Sequence, residues 1–261
     1  MYRNFNQMDN RILGEKIELD DDAVKKFFEN RKQKNLPYRY NYVNYQDAHP
    51  ERVLDRDKIE KGRIVPFFEI DEDDLVLDIG CGVGRWGDYI VPRLDKGRYV
   101  GVDYTESFVQ MARDNFADSD KAAFVNGSFQ ELTKALKTDE EYRKYDKILI
   151  NGVLMYINDR DFGQCIREMD EVLLDGGFVY LKESVGVKRR LTLNKFHSDE
   201  LESDYSVIYR SIAEYSELFT EYLFSKGYVI ITCGPTWDSG LDLGRETDNW
   251  YWIIQKSENK E

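Results

Sequence analysis

Val76-Leu-Asp-Ile-Gly-Cys-Gly-Val-Gly-Arg85 is the stretch on which the reading of this chain turns. The apolar run Leu75-Val-Leu77 makes a short buried strand, which leads directly into Gly80, Gly82 and Gly84. A helical pattern over 86–92 follows. Glycines at this spacing let the backbone turn sharply and let a ligand approach it closely. The helix start behind them offers free N–H groups and the positive end of a helix dipole. Three readings compete here. A dinucleotide site of the form G-x-G-x-x-G would place its third glycine at position 85, which is Arg. The observed G-x-G-x-G, with Asp78 two positions ahead of it, suits a smaller adenosyl ligand, with Arg85 turned to a carboxylate. The third reading is a glycine-rich turn with no ligand.

Working outward, Tyr99-Val-Gly-Val-Asp103 is a strand ending in an acid, 19 residues beyond Gly84. An acid there can accept both ribose hydroxyls of an adenosine, in NAD proteins as in others. Alone, such an Asp is often a helix N-cap; coupled to the glycine turn it reads as functional. Further strands are expected at Ala122–Val125, Lys147–Ile150 and Gly177–Leu181, with helices near 86–92, 105–116, 128–144 and 159–174. Strand and helix in alternation predict parallel strands with crossover helices on both faces. Residues 1–20 read as an irregular lead-in, followed by a helix from Asp21 with Val24, Phe27 and Phe28 on one side. An aromatic loop, Pro37 to Gln46, precedes a second helix from Pro50 to about Phe68. Ile212, Tyr215, Leu218, Phe219 and Tyr222 mark a core-facing helix over 211–225. Strands at Tyr228–Thr232 and Trp250–Ile254 close the chain. The whole, 1–261, reads as a single domain: a helical lid segment (1–70), a core (71–256) and an insertion at 185–210.

Composition narrows the function. The 261 residues are 41% hydrophobic and include 18 Tyr, 14 Phe and 4 Trp, enough for a sizeable core with flat rings in it. A formal net charge of −13 argues against nucleic-acid binding. Lys188, Arg189 and Arg190 are contiguous, either a local basic pocket or, as charge runs usually are, a solvated loop. Three cysteines, widely spaced, form neither a disulfide framework nor a metal pair. With two histidines and no acidic cluster of suitable spacing, no metal is expected. No apolar run approaches the length of a membrane span or signal peptide, so a reducing cytoplasm and no membrane are expected. Oligomeric state is not legible.

Five stretches in order carry a resemblance. Leu77-Asp-Ile-Gly-Cys-Gly-Val-Gly84, Gly101-Val-Asp103 and Phe124-Val-Asn-Gly-Ser-Phe129 resemble the successive motifs of class I S-adenosylmethionine-dependent methyltransferases. So do Tyr145-Asp-Lys-Ile-Leu-Ile-Asn-Gly-Val-Leu154 and Leu173-Leu-Asp-Gly-Gly-Phe-Val-Tyr-Leu-Lys-Glu183. The similarity covers roughly residues 60 to 256, and five motifs in order are far more specific than one. The resemblance implies an α/β fold: a Rossmann-like seven-stranded mixed sheet with helices on both faces, its last strand, Trp250 to Gln255, antiparallel. An N-terminal helical lid and an insertion after the fifth strand complete the expected architecture. The implied cofactor is S-adenosyl-L-methionine, held from Asp78 to Gly84, with Gly80 and Gly82 beside its methionine part and Arg85 paired with its carboxylate. Asp103, followed by Tyr104, would take the ribose; Gly127, Ser128 and Phe129 would flank the adenine, although many members carry an acid where Ser128 stands. Asn151 and Gly152 would lie beside the sulfonium. Tyr42, Tyr45 and Gln46 form either a lid over the cofactor or packing for the N-terminal helices.

Methyl transfer is an in-line displacement on a reactive sulfonium, so alignment and desolvation supply much of the acceleration. An amine acceptor needs its lone pair free, and a hydroxyl benefits from a base. Tyr156, Glu183 and Ser184 are expected at the acceptor end, with Asp204, Glu183 and His197 as candidate bases. For Glu183 the competing role is a cap or loop ion pair, and for His197 the favoured one is a plain surface loop. Tyr205, Tyr209 and Arg210 are candidates to orient a hydroxylated or anionic acceptor. The insertion suits a sugar, a glycan or another small metabolite methylated on oxygen, and the chain looks like methyltransferases of bacterial polysaccharide pathways. A peptide N-terminus is the alternative: Lys182-Glu-Ser and Asp204…Arg210 are similar to the acceptor region of α-N-terminal protein methyltransferases, which carry His where Tyr156 stands. A cofactor-binding scaffold without turnover is the third.

Overall fold

The computed structural model describes residues 10–45, 47–138, 140–237 and 245–258. Its centre is β2 (Leu75–Ile79), whose side chains alternate between the two faces of a sheet, as any strand's must. Leu77 and Ile79 enter one apolar cluster, and Val76 enters the other. Asp78, on the Val76 side, accepts a hydrogen bond from the buried Tyr99 hydroxyl at 2.6 Å. β2 pairs in parallel with β3 (Arg98–Asp103) and with β5 (Tyr145–Asn151). β3 pairs with β4 (Ala122–Asn126), and β5 with β6 (Leu173–Gly186), again in parallel. β10 (Thr247–Lys256) runs antiparallel between β6 and β9 (Tyr228–Pro235). The order β4-β3-β2-β5-β6-β10-β9 is the expected seven-stranded mixed sheet. Strand order reverses at β2, and the crevice beyond the carboxyl ends of β2, β3 and β5 is where such sheets bind ligands.

Helices cover both faces. α3 (Arg52–Ile64), α4 (Gly87–Ile90) and α5 (Glu106–Asn115) bury Ile64, Ile90, Val109 and Ala112 against one. α6 (Leu132–Thr138), α7 (Asp159–Val172) and α8 (Ile212–Tyr222) bury Leu136, Phe162, Ile166 and Phe219 against the other. α8 starts at a capping box in which Ser211 and Glu214 satisfy each other's backbone N–H. Among the described residues no helix is long and apolar enough to cross a membrane.

Three segments depart from the sequence expectations. Arg11–Leu13, within the expected irregular lead-in, is a strand, β1, in a second antiparallel sheet of order β1-β7-β8. The insertion is not a loop but the hairpin of β7 (Leu191–Ser198) and β8 (Ser203–Tyr209). Lys188 and Arg189 are exposed, but Arg190 is buried and paired with Asp159 and Glu214. The strand expected to end at Leu181 continues to Gly186, because β10 pairs with it as far as Thr247 opposite Gly186. Glu183 and Ser184, expected to end the fifth strand, lie within it.

The N-terminal segment covers the crevice. α1 (Asp21–Arg31) is capped by Asp20, which accepts from the Ala23 N–H, and it buries Val24, Phe27 and Phe28. Phe28 packs against Tyr156 with ring centroids 5.0 Å apart and lies near Tyr104 and Phe108. The aromatic loop contains a short helix, α2 (Asn41–Asn44), which Arg31 holds by donating to the Asn41 and Tyr42 carbonyls.

Candidate active site

One cavity of about 510 Å³ opens at the carboxyl ends of β2, β3, β5 and β6, within the usual range for small-ligand sites. The turn after β2 builds its floor. Gly82 has φ +53°, in the left-handed region, and a Cβ there would come 2.5 Å from a Val43 methyl. Only glycine accommodates both that backbone and that approach of α2. Asp103, at the end of β3, ties this turn down: its carboxylate accepts from the Gly82 N–H at 2.9 Å and the Thr105 N–H at 2.8 Å. Burial pushes the Asp103 carboxyl up, while those two N–H groups oppose the shift. Each carboxylate oxygen has a second lone pair for a ligand hydroxyl.

Gly80, Gly82, Asp103 and Tyr104 line this end, together with Gly127, Ser128 and Phe129 from the turn after β4. The Tyr104 hydroxyl is buried with no hydrogen-bond partner among the described residues. Three residues expected here face elsewhere. Gly84 packs against Phe116, Phe124 and Ala112, so its small size serves helix packing. Asp78 is on the opposite side of β2, bound by Tyr99, and burial pushes its carboxyl up to about 6. Arg85 is buried under α3, donating to Asp57 at 2.6 Å and Glu60 at 3.0 Å, so its guanidinium is spent on protein carboxylates. Tyr45 lines the cavity and Gln46 lies outside the described residues.

The far end is assembled from distant segments. Asn151 and Gly152 follow β5, Lys182, Glu183 and Ser184 come from β6, Asn249 from β10, Arg56 and Glu60 from α3, and Trp237 follows β9. Glu60 is the hub beneath. It accepts from Asn151 at 2.6 Å, Lys182 at 2.7 Å, Tyr180 at 3.0 Å and Arg85 at 3.0 Å. Burial raises its carboxyl, but the Arg85 and Lys182 cations outweigh that and hold it well below the usual carboxylate range. Arg56, Glu60, Trp237 and Asn249 were not singled out from sequence, and Lys182 entered only as the first residue of the Lys182-Glu-Ser stretch. Asp57, Glu60 and Lys61 do recur at helical i, i+3, i+4 spacing, the one signal that α3 turns charge inward.

Glu183 and Arg210 act together on one turn. The Glu183 carboxylate accepts from the N–H groups of Val153, Leu154 and Met155 at 2.8–3.1 Å. Arg210 donates to the Leu154 and Ile157 carbonyls and to Asp159. Between them they clamp the turn Leu154–Tyr156, which brings Met155 and Tyr156 to the cavity wall. Arg210, expected to face the acceptor, is buried and fully engaged in this clamp. Burial drives the Glu183 carboxyl up to about 7 despite its three N–H donors. The Tyr156 hydroxyl meets that of Tyr45 at 3.4 Å, and burial keeps both phenols neutral.

The remaining hairpin candidates do not reach the cavity. His197 and Asp204 pair with each other at 2.8 Å on an exposed face of β7 and β8. Tyr205 and Tyr209 pack against Leu191, Leu193 and Val207, their hydroxyls 3.3 Å apart. Tyr205, Val207 and Tyr209 share one side of β8 and pack around the Met155 turn, while Ile208 on the other side joins the cluster of Phe27 and Phe28.

A family profile described as a methyltransferase domain matches residues 76–177. Phosphoethanolamine N-methyltransferase 1 of Zea mays is 26% identical over 172 residues, 65% of this chain and 31% of that protein. The chain spans about a quarter to a third of the length of the first curated relatives it matches. Among solved structures, phosphoethanolamine N-methyltransferase 1 of Haemonchus contortus, in complex with phosphoethanolamine and S-adenosylhomocysteine, aligns with a TM-score of 0.68 at 20% identity. That alignment covers 92% of this chain and 50% of the other. Magnesium protoporphyrin IX methyltransferase of Synechocystis, with bound S-adenosylmethionine, aligns at 0.62 and 16% identity over 93% of this chain and 100% of its own. At such identities the likeness is one of fold. The profile match falls on the strand, glycine turn and acid that build the cavity floor, so residues 76–177 are similar to a methyltransferase domain, and the chain shares its fold with these two methyltransferases.

Proposed function

We propose that this protein transfers a methyl group from S-adenosylmethionine to a small polar acceptor. The carrying observation is the continuity of one cavity from Gly80, Gly82 and Asp103, past Asn151 and Gly152, to Lys182, Ser184 and Asn249. A donor held at the first end meets an acceptor entering from the second. When bound, the cofactor supplies an electrophilic methyl on sulfur. Asp103 accepts the ribose hydroxyls, Gly80 and Gly82 leave room for the methionine part, and Ser128 and Phe129 flank the adenine. The rings of Phe28, Tyr45, Tyr104 and Tyr156 exclude water and present faces that attract cations. The S-adenosylhomocysteine and S-adenosylmethionine bound in the two structural neighbours support this reading.

The state of the carboxylates favours an amine over the sugar or glycan hydroxyl expected from the sequence. A neutral amine brings its own lone pair, whereas a hydroxyl gains from a base. Glu60 is taken up by four donors and Glu183 by three backbone N–H groups, while Asp204 and His197 lie outside the cavity. The phosphoethanolamine relatives lend support to a small amine. A peptide N-terminus draws less support, because Tyr205, Tyr209 and Arg210 are not among the residues that line the cavity. The test is release of S-adenosylhomocysteine, followed by mass spectrometry, from S-adenosylmethionine and a panel of small amines and hydroxylated metabolites. Turnover with an amine is the expected result. A folded protein that binds S-adenosylhomocysteine and turns over with none of them would leave only the scaffold reading.

A further inference from the structure

The corner of the cavity beyond Asn151 is built of hydrogen-bond donors. The Arg56 guanidinium lies 5.8 Å from the centre of the Trp237 ring, and the Lys182 ammonium lies 5.6 Å from the same centre. Two cations thus flank one indole, one from α3 and one from β6. Lys182 is buried, and of its three N–H donors one is given to Glu60. Arg56 has no carboxylate within ion-pair distance among the described residues. Arg52 and Arg245 crowd it with like charge, and Glu200 is the one acid that opposes them. On the third side the Ser184 hydroxyl donates to the Asn249 side-chain oxygen at 3.2 Å, which turns the Asn249 amide NH₂ outward from that bond. Of the two acids at this end of the cavity among the described residues, Glu60 already accepts four hydrogen bonds and Glu183 accepts three from backbone N–H groups. In a chain of net charge −13, this is a local excess of positive charge at the end of a cavity.

We propose that this corner binds an anionic oxyacid group, carboxylate or phosphate, carried by the methyl acceptor, with Arg56, Lys182 and Asn249 as its donors. The inference rests on the methyltransferase reading and deepens it: the acceptor is a small molecule with an anionic group at one end and the methylated atom at the other. Arg56 supplies a planar fork and Lys182 a point charge, and both sit beside the Trp237 ring on the cavity wall. Burial lowers the Lys182 ammonium from its ordinary range, a shift that a bound anion reverses.

The test is a set of calorimetric and thermal-shift titrations on the full chain, at constant ionic strength with chloride as the control. S-adenosylhomocysteine is titrated first. Inorganic phosphate and malonate, one probe for each source of the charge, are then titrated into protein saturated with it. The expected result is that one probe binds and stabilises beyond chloride, and that the exposed-residue variant Arg56→Gln weakens that probe about tenfold or more. The same variant should leave S-adenosylhomocysteine affinity within about twofold. Lys182→Met is the second variant; as its ammonium is buried, its result counts once far-UV circular dichroism shows the wild-type fold. Probe affinity unchanged in Arg56→Gln, or neither probe binding better than chloride, overturns the proposal. A loss of S-adenosylhomocysteine affinity with no change in probe affinity also overturns it, because the corner would then hold the cofactor's own carboxylate. Failure of S-adenosylhomocysteine to bind wild-type protein refutes the underlying methyltransferase reading instead, and the first titration reveals it.

Discussion

Asp103→Ala removes the latch between the glycine turn and the end of β3. The carboxylate accepts two backbone N–H groups, from Gly82 at 2.9 Å and Thr105 at 2.8 Å, both in a buried setting. A buried donor left without a partner costs about 1–3 kcal/mol, so the pair costs about 2–6 kcal/mol at most. Burial disfavours the carboxylate itself, and its removal returns part of that, which places the net loss nearer 2–4 kcal/mol. Against a typical domain stability of 5–15 kcal/mol, the variant still folds, with a lower urea midpoint and an unchanged slope. Asp103→Asn keeps one accepting oxygen but sets an NH₂ against the other N–H, so it falls between wild type and Ala. The second readout is calorimetric titration with S-adenosylhomocysteine under conditions where all three proteins are folded. Loss of an anionic acceptor for the ribose hydroxyls predicts at least tenfold weaker binding in Ala, about 1.4 kcal/mol. Binding within twofold of wild type would refute the ribose role. A wild-type urea midpoint would refute the latch.

Three further outcomes follow from the same geometry. Because burial holds the Glu183 carboxyl up at about 7 against an ordinary 4.5, the folded state keeps a proton that the unfolded chain releases first. Stability therefore falls as pH rises from 4.5 to 7, by up to about 3 kcal/mol from this group, and Glu183→Gln flattens that slope in urea melts at pH 5 and 8. Gly82→Ala meets both a φ of +53° and the Val43 methyl, costing about 1–2 kcal/mol for the backbone alone. Adding Val43→Ala should recover the steric part but not the backbone part, and equal stabilities for the single and double variants would contradict the contact. Arg210→Met removes the guanidinium donors to Asp159 and to the Leu154 and Ile157 carbonyls; Arg190 still pairs with Asp159 and the Ile157 N–H still reaches the Leu154 carbonyl, so a loss of about 2–4 kcal/mol is expected in urea unfolding.

The end of the cavity around the glycine turn was largely legible in the sequence. Tyr45, Gly80, Gly82, Asp103, Tyr104, Gly127, Ser128, Phe129, Asn151 and Gly152 all line the cavity, as expected. They sit at strand ends and tight turns, where neighbours along the chain are also neighbours in space. The exceptions are instructive. Asp78 and Gly84 belong to the same motif, yet β2 alternation turns the first to the far face and helix packing claims the second. Arg85 was matched to a ligand carboxylate, but Asp57 and Glu60 on α3 supply protein carboxylates that no local pattern brings to it. The hairpin residues His197, Asp204, Tyr205 and Tyr209 have suitable chemistry, and the pairing of β7 with β8 aims them elsewhere.

By itself, then, the amino-acid order determined the alternating strands and helices, the glycine turn and the acid beside it. Those features depend on φ, ψ and the apolar period of short segments, which each stretch carries within itself. Tertiary structure alone decided that Arg56, Lys182, Trp237 and Asn249 share one corner and that Glu60 sits beneath it. These residues come from α3, β6, β10 and the segment after β9. Their meeting depends on the antiparallel register that sets Asn249 opposite Ser184, and on where α3 packs against the sheet. Contacts between segments that far apart in the chain are set by the packing of whole elements, and no local pattern records them.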